Sequence, residues 1–311
     1  IGPSGGTPRS DHSAVIFQDK IFFYGGSVNT DAKKLDTIDV FDIANNEWQE
    51  GSESRLAYEG LSDNAKRAGH TAVLWDAQMF IWGGRDKDEI ELNTLDILDL
   101  EQWRELKSGG TPRYMHAGAA FEDKLYFWGG TDGGDLFKTM DVYDTQSNEW
   151  FSGLEGGEAR KAHSAVLDQG KIFFWGGENG TGFLNTVDIY EIVSSSWITG
   201  FFGGRSRISH VANMVGSKIY HWGGRDDSGI LNTTDVYSLT SLDNLWDTIP
   251  GPISEVGRSG HTATLVNDKI IFWGGEDSLG QIINTVSIYK LQESTWVTGA
   301  TGGQPRKGHK A

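Results

Sequence analysis

The side chains with the most chemical potential in this sequence are its histidines, and their spacing is regular. Seven of the eight stand three residues after an arginine: Arg9/His12, Arg67/His70, Arg113/His116, Arg160/His163, Arg207/His210, Arg258/His261 and Arg306/His309. A ring of imidazoles invites metal binding, but ligands of one metal must lie about 2.0–2.1 Å from it. Equivalent positions in successive repeats are too far apart for that. These histidines are therefore expected to pack structurally. The arginines are read the same way, with contact to a partner as the alternative. His221 lies inside a strand-like stretch and is expected in the core or between repeats.

Other chemistries are excluded by composition. There is no Cys among the 311 residues, so disulfides, thiolate metal sites and cysteine nucleophiles are ruled out. Forty-three acids against 27 bases give a net charge of −16, which repels phosphate backbones and anionic lipids. No apolar run approaches the roughly 20 residues needed to span a bilayer. No signal peptide is visible at Ile1-Gly2-Pro3-Ser4. The missing cysteines suit a cytosolic or a bacterial surface protein, and the compartment stays open. No cofactor and no metal are expected.

The elements that must carry the Arg/His pairs are repeats. Glycine pairs end short aromatic stretches at Gly25-Gly26, Gly83-Gly84, Gly129-Gly130, Gly176-Gly177, Gly223-Gly224 and Gly274-Gly275, in steps of 58, 46, 47, 47 and 51 residues. Each repeat runs from the Arg/His pair through a short apolar stretch and a tight turn into the aromatic strand and its glycines. A polar loop, an alternating stretch such as Thr186-Val187-Asp188-Ile189-Tyr190 and a final strand marked by Trp48, Trp103, Trp150, Trp197, Trp246 or Trp296 follow. Period-two alternation of β-branched and aromatic residues reads as strand. Four antiparallel strands per repeat, arranged radially, describe a β-propeller blade. Together the glycine pairs, the following Tyr and the Trp resemble the kelch repeat over nearly the whole chain. Tyr24, Leu98 and Ser287 are the departures.

The resemblance implies an all-β, kelch-type β-propeller of six four-stranded blades in one domain, at approximately 9–50, 67–106, 113–153, 160–200, 207–249 and 258–299. Arg9 and Arg306 occupy the same phase and compete for one place, so one terminus is expected to be displaced; seven blades with the last truncated is the alternative. The linker from Trp48 to Arg67 carries extra residues between Gly51 and Lys66, Tyr58 among them. Such insertions map to surface loops. Of the enzymes the resemblance brings in, kelch-like copper oxidases need a cysteine. The iron pattern of specifier proteins has Glu59 and Asp63 at the right separation, but no histidine follows at the required distance.

A site should sit where repeats differ. Strand alternation places the Arg/His loops and the loops after the glycines on one face, the top. Tyr114, Met115, Lys161, Phe201, Phe202 and Ile208 add unlike aromatic, basic and apolar groups there, and Asp226, Asp227, Glu276 and Asp277 an acidic flank. Acidic groups in the loops after the glycines are read chiefly as solvated charge, and the strand-three aspartates as bonded structural carboxylates. The expectation is a non-catalytic protein-interaction or scaffold module, contacting a protein or peptide with basic and apolar groups through its top loops. A sugar-binding or sugar-isomerising enzyme, or a surface or fibre-building module, is the alternative. Convergent unlike ionisable groups at the channel mouth would favour the enzyme, and a broad apolar patch the partner.

Overall fold

A computed structural model describes residues 6–28, 33–45, 47–49, 66–99, 102–240, 245–251 and 257–301. All regular structure within them is β. Six antiparallel four-stranded sheets form six blades, each with its strands in sequential order. Blade four, for instance, comprises Ser164–Asp168, Lys171–Trp175, Thr186–Glu191 and Ser196–Phe202.

The first strands line the axis. Ser13–Phe17, Thr71–Trp75, Ala117–Phe121, Ser164–Asp168, Val211–Val215 and Ser259–Val266 each pack against the first strands of both neighbours, and the last packs against the first. The ring therefore closes with six members and has no place for a seventh. Fourth strands stand at the perimeter, each paired on one side only.

Burial explains why the second and third strands read as they do. Ile172 to Trp175 and Val187 to Tyr190 are buried without interruption, because each blade is sandwiched between two others. Asp188 alternates in polarity with its neighbours, yet it is as buried as they are. Trp82, Trp128, Trp175, Trp222 and Trp273 are at most 1 % exposed and fill the wedges between twisted sheets. Tyr24 takes that place in blade one.

The first of the two like-phased ends occupies a blade position. The Gly275 N–H donates to the Arg9 carbonyl at 3.0 Å, as that of Gly84 does to Arg113 at 2.8 Å. The Arg9 segment thus fills the seam between blades six and one. Arg306 and His309 lie outside the described residues, as do Tyr58, Glu59, Asp63 and most of the long linker.

Candidate functional site at the channel mouth

Each seam is built round a buried arginine. In blade three, Arg113 is fully buried and every arm of its guanidinium is bonded. Nη2 donates to Asp141 Oδ2 at 2.6 Å and to Thr139 Oγ1 at 3.1 Å. Nη1 donates to the carbonyls of Gly129 at 2.7 Å and Thr139 at 3.0 Å, and Nε to that of Thr111 at 3.1 Å. Asp141 Oδ2 also accepts the Thr111 N–H at 2.9 Å. Arg9/Asp39, Arg67/Asp96, Arg160/Asp188 and Arg207/Asp235 repeat the pair. In blade six, Arg258 Nη2 donates to Ser287 Oγ at 2.8 Å. Burial lowers the arginine pKa and the paired aspartate works against it. A buried cation with its donors spent cannot line the mouth, so the arginine series is scaffold.

The histidines serve the same seams. His116 sits edge-on to Trp82 of the preceding blade, centroids 4.8 Å apart, and His163, His210 and His261 repeat this on Trp128, Trp175 and Trp222. The preceding glycine pair makes room. Gly83 has φ +71°, and a Cβ there would stand 2.8 Å from the Arg113 carbonyl and from His116 Cε1. His12, His70 and His210 bond hydroxyls of the preceding blade: Thr262, Ser13 and Ser164. Burial, first of all, holds all six well below the usual imidazole pKa, and the neighbouring arginine adds to it. His221 packs between blades against Trp175 at 4.3 Å. Among the described residues, no group of three or more His, Asp or Glu could hold a metal ion.

Between each Arg and His the chain turns inward. Asp11, Gly69, Met115, Ala162, Ser209 and Gly260, one per blade, all have φ between +51° and +67°. Each N–H donates to the carbonyl of its counterpart in the preceding blade: Gly69 to Asp11, Met115 to Gly69, Ala162 to Met115, Ser209 to Ala162, Gly260 to Ser209 and Asp11 to Gly260, at 2.8–3.0 Å. A closed circle of six backbone hydrogen bonds thus crosses the top of the channel. The six histidines surround a space of about 150 Å³ next to it.

A cavity of about 260 Å³ opens above part of this circle. Met115, Lys161, Ile208 and Glu276 line it, together with Asp11, Glu178, Ser209 and Arg225. The residue after each Arg bridges to the residue after each glycine pair, as Lys161 does to Glu178 and Ile208 to Arg225. Lys161 and Glu178 also form an ion pair at 2.9 Å. Burial raises the Asp11 carboxyl to about 6; Glu276 adds to this, while Lys34, Ser10 and Arg225 oppose it.

The remaining expected residues lie elsewhere. Tyr114 lies under the Arg85 guanidinium, 3.8 Å from its ring centre, on the blade-two side. Phe201 and Phe202 do not stand in a loop: they belong to the outer strand of blade four, 40 % and 75 % exposed and three strands from the axis. Asp226 and Asp277 are loop-builders. Asp277 Oδ1 accepts the N–H groups of Leu279 and Gln281, and Asp226 Oδ1 that of Ser228. Asp86 and Asp132 do likewise; Asp86 is buried, so for it the solvated reading is corrected, while Asp132 stays exposed. Asp227 is exposed. Asp11, Glu178, Ser209 and Arg225 were not singled out from sequence as contact residues. The pointer to them was position: between Arg and His, or directly after the glycine pair.

Fold and site together define a six-bladed β-propeller with a repeated interior and five residue types among the six blades at one mouth position. The family profile described as the KLHDC2/KLHL20/DRC7 Kelch-repeats domain matches residues 11–199 and 209–311. The chain belongs to the kelch-repeat family. It is 30 % identical over 159 residues to Kelch domain-containing protein 3 of Bos taurus, covering 47 % of this chain and 41 % of that protein. To acyl-CoA-binding domain-containing protein 5 of Arabidopsis thaliana it is 29 % identical over 160 residues, or 47 % and 24 %. To the N-(sulfonatooxy)prop-2-enimidothioate sulfolyase of Thlaspi arvense it is 25 % identical over 156 residues, or 46 % and 43 %. The match spans less than half the length of each of these relatives.

Proposed function

We propose that this propeller is a non-catalytic interaction module that receives a segment of a partner protein at its channel mouth. One observation carries the reading. A single backbone position, fixed in all six blades by the closed circle, bears Asp, Gly, Met, Ala, Ser and Gly, and the cavity above it is lined by equally unlike residues. Such variation has no use in a scaffold repeated six times, whereas a surface that recognises an asymmetric partner needs it. Met115, Lys161, Ile208 and Glu276 form the centre. Tyr114 and Asp227 lie outside that cavity, Asp226 and Asp277 shape the loops, and Phe201 and Phe202 give a second contact on the flank of blade four.

The test is capture from native extract by the wild-type chain, by Met115→Ala/Lys161→Ala, and by Asp19→Ala/Asp168→Ala in the opposite turns. The mouth pair is expected to lose at least about tenfold in affinity for the captured protein, and the turn pair nothing. Loss with the turn pair alone would overturn the assignment. A second reading, a small-molecule or sugar site, draws on the convergence of Asp11, Glu276 and Arg225 in that cavity. It requires a monosaccharide panel to raise the melting temperature, and the interaction reading requires that it does not.

A further inference from the structure

The mouth carries opposite charge on its two sides. Blades six and one contribute Glu276 and Asp11, and blades four and five contribute Lys161 and Arg225. Lys161 is partly neutralised by Glu178 within its own blade. The side chains of Glu276 and Arg225 make no hydrogen bond or ion pair among the described residues. Below them, the N–H groups of the circle are all spent on the circle's own carbonyls. Polar recognition in this cavity therefore falls to the side chains, while Met115 and Ile208 supply apolar wall.

Three simpler occupants fit poorly. An anion would meet the like charges of Asp11 and Glu276. A lone cation would sit against Asp11 and Glu276 but leave Arg225 covered and uncompensated. A neutral apolar group would strip water from both sides and return nothing for it, and burial of an uncompensated charge is costly. We propose that the mouth takes a dipolar segment of the partner, a basic side chain seated against Asp11 and Glu276 and a nearby acidic side chain seated against Arg225 and Lys161. This deepens the interaction reading and rests on it. The aliphatic stem of a Lys or Arg would lie along Met115 and Ile208.

The acidic side also titrates. Asp11 binds its proton up to about pH 6, set by burial and Glu276 against Lys34, Ser10 and Arg225. A cation seated there favours the ionised form, so affinity falls as pH drops through that value.

The experiment selects random displayed peptides on the whole chain. Selected segments are then measured on Glu276→Ala, Arg225→Ala and Asp11→Asn, each checked for native circular dichroism. Asn tolerates the left-handed backbone that Asp11 adopts. The expected segments carry one basic and one acidic residue within about three positions. They lose at least about tenfold in affinity on either alanine variant, and their weakening between pH 7 and pH 5 disappears with Asp11→Asn. Segments of one sign, uncharged segments, equal affinity for the alanine variants, or no enriched segment at all would overturn the proposal. If enriched segments of the wrong chemistry still compete with the partner captured through Met115 and Lys161, the charge proposal falls alone. If no competition occurs and the mouth pair captures normally, the interaction reading falls too.

Discussion

The seams between blades and the mouth of the channel are built from adjacent positions of one loop, yet they follow opposite rules. In Arg113-Tyr114-Met115-His116 the outer two residues are buried and repeat in every blade, while the inner two change. A buried guanidinium draws on several acceptors at once, a carboxylate in five blades and Ser287 in the sixth, with the threonine and its carbonyls, so one substitution disturbs the whole set. A mouth residue has only to adopt a left-handed turn and pass its N–H to the preceding blade, and its side chain is free to vary. Uniformity therefore marks what the ring requires, and variation marks what it can spend on recognition.

Acid should separate the two regions most widely. Seven buried neutral imidazoles, His221 included, have folded pKa values well below 6.5. Their contribution to stability is complete above the unfolded value and is lost as pH falls below it. Each can cost up to about 1.4 kcal/mol per pH unit, and seven together roughly 10, against a total stability of about 5–15 kcal/mol. Asp11 acts the other way: its raised pKa stabilises at low pH and that benefit is lost as pH rises through about 6. One group cannot offset seven. The melting temperature is expected to drop steeply from pH 6.5 to 5; a flat profile would mean that the seam imidazoles accept protons at little cost.

Breaking one seam comes next. Asp141→Ala leaves the fully buried Arg113 without its counter-ion and should cost about 3–5 kcal/mol in urea unfolding. Trp175→Ala, at 1 % exposure, should cost a similar 3–5 kcal/mol, roughly. Trp197 packs on Trp128 and Tyr190 but is only half-buried, so Trp197→Ala should cost about half as much. Losses under about 1 kcal/mol for Trp175 would contradict the packing described.

At the mouth the effects shrink and turn on backbone alone. Ala162 has φ +55°. Ala162→Val should destabilise by about 1–2 kcal/mol, and Ala162→Gly should gain up to about 1 kcal/mol. Equal stabilities would show that the circle is not under conformational constraint. Smallest of all, Lys161→Ala should move stability by no more than about 0.5 kcal/mol while weakening partner capture. A larger loss of stability would place Lys161 in the scaffold.

The fold was legible because its requirements repeat. Six glycine pairs, six Arg/His pairs and the strand-three aspartates each mark a contact that every blade must make. The mouth was legible only in part. Met115, Lys161, Ile208 and Glu276 stood out by type, but Asp11 and Arg225 look ordinary in sequence, and only ring closure brings them to one cavity. Phe201 and Phe202 misled because a strand extended by a bulge near Gly200 reads as a loop. The loop-building role of the aspartates after the glycines did not show, because a carboxylate that bonds its own loop has the same composition as one that does not.

Closure of the ring also sets a timetable. His12 bonds Thr262 across 250 residues. On a ribosome adding about 5–20 residues per second, the first blade waits roughly 12–50 seconds for the last. Throughout that interval the face of Phe23 and Trp48 that will meet Trp273 and Ile271 has nothing to cover it. Blades two to five can dock as they emerge, each on its elder neighbour. Blade one, made first, is finished last.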